Sequence, residues 1–502
     1  MKKLNHILLI FFITLTLVGC IDLEEDPKGL MAPEGFFETA SDVEAAVYGA
    51  YAEWVTVQVE KYYFLGLMLR SDMVDIGDRN TDGNRIALNE FSMDAKNSLV
   101  AASWERLYQS ISAANTAIQG ARSIEDEAAV KNELEAKARF IRAFTYFHLV
   151  RAFGDVPYLD SPIESAEAFD AVERTPSDEI YQYIIDDLLF AKEYLPVKNS
   201  PDVRNIGTKG SAATALAEVY LTLERYSEAA TEARYVIDNA AVFDYNLATN
   251  YQDLFNAEVI ASLKEPIFTY ELKNTLNDGN YNQADGMINL TRIRDLAPRS
   301  LSVAVPSLKV YQSWDDRDYR KKVCFEDTVV YNGVVTALVD AAVRVPRPHI
   351  AKYFRYPGPQ EAGDDRSSDH HYCMYRYADV LLFAAEAIAE SEGATPEAIG
   401  YINQIRARAR YNGSTTTDFP ADVPTTAIST DDFIQLVREE RRLEFAFEFK
   451  RWYDIKRWGI INEAFLSTES MEPHNVDLNR DYLFPIPQTE IDVTDFIQNP
   501  GY

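Results

Sequence analysis

Helical periodicity constrains this sequence more than any other feature. Ser41 to Val59, Ser98 to Arg122, Glu127 to Phe153 and Ser177 to Leu195 each carry apolar residues at spacings of three and four, the repeat that lines one face of an α-helix. Asp42 and Ser177 are the expected N-caps of the first and fourth segments, because a short side-chain oxygen satisfies an amide left over at a helix start. In the third segment Phe140, Phe144 and Phe147 line one face, and Leu134, Ala138 and Ile141 line a neighbouring one. A helix apolar over so wide an arc packs against more than one partner.

Two stretches repeat a helix pair. In residues 211–240, Leu216, Ala217 and Tyr220 share a first helix; after a turn near Arg225, Tyr226 opens a second with Ala229, Ala233 and Val236 on one face. Residues 374–410 are a looser copy, with Ala398, Ile402 and Ile405 at the second-helix spacing and Pro396 at a first-turn position where proline is tolerated. Both resemble tetratricopeptide units. The predicted class is mainly α: a tetratricopeptide-like helix-pair array with long irregular loops and small β-hairpin insertions. The loops are 75–97, 274–302 and 323–371, all rich in Gly, Asn, Asp, Pro and Tyr. Thr328 to Val335 has a hairpin signal at Asn332-Gly333. Insertions this long in a compact protein are usually functional or disordered, and the aromatic content favours function.

The start of the chain reads as an address. Lys2 and Lys3 precede an apolar stretch from Leu8 to Val18, shorter than the ~20 residues that span a bilayer. Leu17-Val18-Gly19-Cys20 then forms a lipobox. The expectation is a signal peptide over 1–19, a lipid on the Cys20 thiol that anchors the chain without a membrane span, a tether and entry segment over 20–40, and one helical domain over 41–502. Lipidation leaves Cys324 and Cys373, for which one disulfide is open but not demanded. Three cysteines exclude a disulfide-stapled scaffold and a four-cysteine zinc site. Lys plus Arg is 49 against 79 for Asp plus Glu, a net charge of −30, which repels phosphate and argues against a nucleic-acid partner.

The last third carries distinctive text. Leu436 to Gly459 reads LVREERRLEFAFEFKRWYDIKRWG, with Leu436, Leu443 and Phe447 on one helical stripe. Glu439/Arg442, Glu448/Arg451, Lys450/Asp454 and Asp454/Arg457 are opposite charges at helical spacing. So many charges beside Trp452 and Trp458 suggest a partly buried network of structural rather than ligand-binding kind. The chain closes with Phe484-Pro485-Ile486-Pro487 and Gln498-Asn499-Pro500-Gly501-Tyr502. With the lipobox, Gly35-Phe36-Phe37, Ala138 to Ala143, Phe153-Gly154-Asp155-Val156-Pro157, Lys209 to Leu221 and Arg376 to Glu386, these motifs strongly resemble the SusD/RagB family of outer-membrane nutrient-binding lipoproteins. The resemblance implies a lipid-anchored protein on the outer membrane, facing the cell exterior. It implies a SusC-like TonB-dependent transporter as partner, with this chain as a hinged lid that captures a glycan without catalysis and delivers it. In that light the acidic run Asp22 to Asp26 is a surface-sorting signal rather than only a solvated linker.

The family motifs are architectural and do not locate the ligand. Sugar C–H faces stack on aromatic rings while hydroxyls need polar side chains, and the chain has 30 Tyr. The candidate ligand residues are therefore Asp78, Arg79, Asn80, Asp82, Asn84 and Arg85 in one loop, Tyr281 with Asn282 in a second, and Trp314, followed by Asp315, Asp316 and Arg317, near a third. Trp104 is assigned to a core stripe with Leu107, Tyr108 and Ile111, and His148 to a hydrogen-bonded core position. His370, His371 and Cys373 lack the usual metal-ligand spacing, so no metal or catalytic residue is assigned. No motif indicates a cofactor; an acidic, oxygen-rich surface leaves a structural Ca²⁺ open. The alternatives to glycan uptake are a peptide-binding homologue of the same system and a glycoside hydrolase working through two carboxylates.

Overall fold

The structure, a computed structural model, describes residues 36–59, 63–163, 165, 171–272, 285–297, 299–331, 333–358, 368–425 and 428–502. Met1–Glu38 and Thr39–Tyr502 separate as two units. Of the first, only residues 36–38 are described, so Cys20 and its acidic tether lie outside the described residues. No helix among the described residues is long and apolar enough to cross a membrane.

The second unit opens with α1 (Ala40–Val59). Thr39, not Asp42, is its cap: the Thr39 hydroxyl oxygen accepts the Asp42 amide at 3.4 Å, and the Asp42 carboxylate accepts the Thr39 amide in return at 2.8 Å. There follow α2 (Tyr63–Leu69), β1 (Val74–Ile76), α3 (Gly83–Asn89), α4 (Ser98–Ser123), α5 (Ala128–Phe153), α6 (Ser177–Tyr194), α7 (Lys209–Thr222) and α8 (Tyr226–Asp238). A loop-rich stretch comes next: β2 (Pro266–Glu271), α9 (Gly286–Thr291), β3 (Ala304–Pro306), α10 (Leu308–Ser313), α11 (Tyr319–Cys324), β4 (Phe325–Glu326), β5 (Thr328–Tyr331), β6 (Val334–Ala337), β7 (His349–Ile350) and β8 (His371–Arg376). The chain returns to helix in α12 (Tyr377–Glu392), α13 (Pro396–Ala409), α14 (Thr430–Glu444) and α15 (Arg451–Arg457).

Each long helix packs on the next. α4 lies against α1 and α5, α6 against α5 and α7, α8 against α7 and α12, and α12 against α13 and α14. The two expected helix pairs are thus α7/α8 and α12/α13, with Pro396 in the first turn of α13. Every residue of α5 from Phe140 to Phe153 is buried, as its wide apolar arc requires. The strands form separate antiparallel pairs, β1–β3, β2–β8, β4–β7 and β5–β6. The hairpin β5–β6 is the one expected around Asn332-Gly333.

The family-like motifs resolve into joints. Gly154 takes φ 75 and stops α5, a conformation in which a Cβ is disfavoured. Asp155 accepts the Ser177 amide at 2.8 Å, so it, and not Ser177, caps α6. The terminal Asn499 donates to the carbonyls of Phe153 at 2.8 Å and Phe484 at 2.7 Å, stapling the C-terminus to the end of α5.

Leu436 to Gly459 is not one helix. The path breaks at Phe445–Lys450, with Phe447 and Phe449 both at φ 66, and Leu436 and Leu443 are only half-buried. The buried side of α14 carries Phe433, Val437, Glu440, Arg441 and Glu444 instead. Glu439–Arg442 and Asp454–Arg457 pair as expected. Because of the break, the other charges reach across the fold: Lys450 to Asp379 at 2.6 Å, Arg451 to Asp72 at 2.7 Å and Arg457 to Glu386.

At the centre, Arg376 donates to Glu265 at 2.7 Å, Glu444 at 2.6 Å and Glu448 at 3.0 Å. Arg408 bonds the same Glu265 and Glu444. Arg320 holds Asp318, Glu440 and the second oxygen of Glu444. Lys352 closes on Glu448 at 2.7 Å and Arg406 on Glu440 at 2.9 Å. Positive and negative members are equal in number, so little uncompensated charge is buried.

Burial alone would raise the Glu444 carboxyl, but Arg408, Arg376 and Arg320 together hold it well below the usual carboxylate range. Its stabilising contribution is therefore complete above the range where an unfolded glutamate titrates, and is lost as pH falls from there through the lowered value. Glu444→Gln, which leaves three guanidiniums short of charge, is expected to lower stability near neutral pH by about 3–5 kcal/mol. Its stability, measured by denaturant titration from about pH 6 to about pH 3, is expected to fall less steeply than that of the parent.

Candidate functional site

The polar loop singled out in the sequence is held by backbone. β1 pairs with β3 in the register Val74↔Pro306 and Ile76↔Ala304. The ladder continues through Gly77 N–H to Val303 O at 2.9 Å and Asp78 N–H to Ser302 O at 2.8 Å. Gly77 is glycine because a Cβ there would collide with the Ser302 carbonyl and Val305. This seating sets Asp78 beside Ser302 and within reach of Arg294.

The predicted side chains then divide. Asp78 is buried, and its carboxylate accepts from Arg294 at 2.7 Å and faces Arg344 at 3.5 Å. Asp82 is the N-cap of α3, taking the Asn84 amide at 3.0 Å. Asn84 spends its amide group on Asp82 at 3.0 Å and Ser98 at 3.1 Å, and Arg85 bonds Thr81 at 3.1 Å. Asp82, Asn84 and Arg85 thus serve the local turn. Arg79 and Asn80 are exposed, Arg79 in a pair with Glu90. Tyr281 and Asn282 lie outside the described residues.

Trp314 does not present a binding surface. It is 3% exposed and stands edge-on to Phe325 with ring centres 5.4 Å apart. The chain leaves α10 with this ring turned inward and Asp316 and Arg317 turned outward, so the aromatic member of the group supports and its polar neighbours display.

What Trp314 supports is a cleft of about 470 Å³, which the sequence reading missed. Tyr311 of α10, Tyr319 of α11 and Tyr356 bring three rings to it, together with Asp316, Asp327 and Arg355. Tyr356 is 43% exposed, enough to offer a ring face. The Tyr311 hydroxyl donates to Asp327 at 2.7 Å; burial first, then this carboxylate, pushes the phenol up to about 12. Lys321 is fixed by Asp316 at 2.6 Å. Arg355 is fixed by Glu326 at 3.1 Å and the Phe325 carbonyl at 2.7 Å. Such a site offers ring faces for C–H stacking and fixed donors and acceptors for hydroxyls. The signal that could have found it is the placement of Tyr311 and Tyr319 on either side of Trp314-Asp315-Asp316-Arg317.

The cleft and the polar loop share one support. A small apolar cluster of Ile293, Leu338 and Ala341, with Val329, Val343 and Phe354 packed on it, sits apart from the α5 core. Its members adjoin Arg294, Thr328, Arg344 and Arg355 in sequence, so the same contacts position both groups of polar side chains.

Other expectations end elsewhere. His148 is buried among Trp54, Tyr63, Phe64 and Phe144. Its Nδ1 has no hydrogen-bond partner among the described residues, unlike the hydrogen-bonded histidine expected there. Burial, with help from Arg151, holds its basicity well below the ordinary value. Trp104 is a core residue against Phe153. Cys324 and Cys373 are free thiols, and burial pushes Cys324 up to about 11. Among the described residues no group of three or more His, Cys, Asp or Glu is arranged to hold a metal ion.

Two family models match this chain: one described as the SusD family, over residues 339–502, and one described as starch-binding associating with outer membrane, over residues 37–221. The SusD-like protein P2 of Formosa agariphila is 43% identical over 501 residues, covering 97% of this chain and 98% of that one. The chain belongs to the SusD family. Its fold agrees with a SusD homologue from Bacteroides thetaiotaomicron at TM-score 0.80 and 22% identity, covering 94% of this chain and 98% of that one. A laminarin-binding SusD-like protein aligns at TM-score 0.79 and 22% identity, covering 93% of this chain and 100% of that one. The two SusD-type matches leave between them the stretch that holds α10, α11 and the β5–β6 hairpin.

Trp314→Ala is expected to cost about 3–5 kcal/mol, because it empties a buried site beneath the cleft. Tyr356→Ala removes an exposed ring and is expected to stay within about 0.5 kcal/mol of the parent. Thermal or denaturant unfolding of the two variants checks both.

Proposed function

We propose that this protein binds a glycan on its loop face and delivers it to a SusC-like TonB-dependent transporter, acting as the transporter's lid and doing no chemistry of its own. The observation that carries this reading is the cleft where Tyr311, Tyr319 and Tyr356 stand among Asp316, Asp327 and Arg355. Membership of the SusD family and the fold shared with a laminarin-binding protein support it. The cleft carboxylates support binding over hydrolysis: Asp316, Glu326 and Asp327 each already engage a donor, Lys321, Arg355 or Tyr311. A glycosidase needs one carboxyl free to protonate the leaving oxygen and another free to attack or activate water. In this reading residues 1–19 are removed, a lipid on Cys20 holds the chain on the outer face of the outer membrane, and residues 41–502 act as one domain that needs no cofactor.

Affinity electrophoresis against a panel of soluble neutral and charged polysaccharides is expected to show retention by at least one class, with no reducing ends released over hours. Tyr356→Ala is expected to weaken that retention several-fold at unchanged melting temperature. Reducing ends that accumulate would overturn the non-catalytic assignment. Failure to bind any panel member would overturn glycan capture. Cys20→Ala is expected to move the protein out of the membrane fraction, and continued anchoring would refute the lipid tether.

A further inference from the structure

Acidic residues outnumber basic ones 79 to 49 in this chain, yet one part of the loop face reverses the ratio. The stretches 78–85 (DRNTDGNR), 292–299 (RIRDLAPR) and 344–347 (RVPR) carry Arg79, Arg85, Arg292, Arg294, Arg299, Arg344 and Arg347 against Asp78, Asp82 and Asp295, with no lysine. These stretches are distant in sequence and meet at one carboxylate: Asp78 accepts from Arg294 at 2.7 Å and faces Arg344 at 3.5 Å. The Arg344 amide donates to Asp295 at 3.0 Å, closing the third side.

Among the described residues, the carboxylates around them are largely taken. Asp75 is taken by Arg347 at 2.9 Å and Glu90 by Arg79, while one oxygen of Asp82 is committed to the amides of α3. Arg85, Arg292 and Arg299 are already engaged. Arg344 differs. Its side chain is 47% exposed, and the carboxylates it faces among the described residues stand at 3.5 Å and 4.0 Å, beyond the 2.7–2.9 Å or so of a full charge-assisted bond. Arg79, which follows Asp78 in sequence, is held by Glu90 instead. A neutral sugar gives no reason to concentrate guanidinium groups, and the protein's overall field repels polyanions, so a favourable local site has to be built against it. A planar guanidinium matches two oxygens of a carboxylate or sulfate at once, which a lysine cannot do.

We propose that the glycan taken by this face carries anionic substituents, sulfate esters or uronate carboxylates, and that Arg344 is the group that receives them. The cluster and the tyrosine cleft share the Ile293–Leu338–Ala341 support, so one polymer can lie across both. This inference rests on the reading of the loop face as a glycan-binding surface.

The test compares retention of the whole mature chain in native gels containing laminarin, chemically sulfated laminarin, carrageenan or polygalacturonate. The expected result is retention by a sulfated glycan or by the polyuronate at least about tenfold stronger than by laminarin; which one retains it identifies the substituent. Arg344→Gln is expected to weaken that retention about tenfold at unchanged melting temperature, whereas Arg225→Gln, which removes an equal charge just before α8, leaves it unchanged. Laminarin held as tightly as the charged polymers, or charged-polymer retention that survives Arg344→Gln, would overturn the inference and leave neutral-glycan capture standing. A chain that ignores all four polymers but binds another neutral member of the broader panel overturns it as well, and one that binds nothing fails both readings.

Discussion

The ion cluster around Arg376 is the joint between the two halves of this fold. Glu265 enters it just before β2, Arg376 from the end of β8, Arg408 from α13, Glu440 and Glu444 from α14, Arg320 from α11 and Lys352 from the strand-to-cleft connection. None of these groups could be buried alone, since an isolated ion in the interior costs several kcal/mol after relaxation. Each is tolerable only when the others are in place. The cluster therefore makes the helical array and the loop-rich stretch fold as one piece, and fixes how α11 leaves it.

The tyrosine cleft depends on that piece by short steps. Arg320 and Asp318 begin α11 inside the cluster, and Tyr319 lies between them in sequence, turned to the cleft. Lys352 is pinned to Glu448, and the chain emerges from it through Arg355 and Tyr356. Trp314 and Phe325 then form the ring contact under the cleft. Rigid aromatic platforms next to fixed donors lose little freedom when a sugar arrives, which is how a shallow site can bind at all. The same economy holds at the arginine-rich patch, where Asp78 is fixed by the β1–β3 ladder before any ligand is present.

Charge acts at two scales. Over the whole molecule the excess of acid keeps the body away from other polyanions. Within the fold, charges are paired so completely that position, not sign, determines what each residue does. Arg442 and Arg457 take partners three residues away, while Arg451 reaches Asp72 across the chain. The left-handed turns at Phe447 and Phe449 separate α15 from α14, so Glu448 and Arg451 do not share one helix and Arg451 takes a distant partner.

Much of the scaffold was legible in the sequence. The four long helices, the two helix pairs and the Asn332-Gly333 hairpin follow from local periodicity and turn chemistry, properties that neighbours along the chain carry with them. The family resemblance was legible for the same reason: its motifs are local joints, such as Gly154 stopping α5. The caps moved, by three residues in α1 and to a side chain 22 residues away in α6, because Thr39 and Asp155 supply oxygens that periodicity cannot rank. The site was only half legible. Composition pointed to loops, but whether a polar or aromatic side chain in a loop faces solvent, a cap or the core is set by contacts from elsewhere. Trp314 and Asp78 turn inward, whereas Tyr311, Tyr319 and Tyr356 converge from separate elements. The sequence by itself determined a helical array with inserted loops; only the tertiary structure decided which residues of those loops meet, because that depends on ion pairs and ring contacts between segments far apart in the chain.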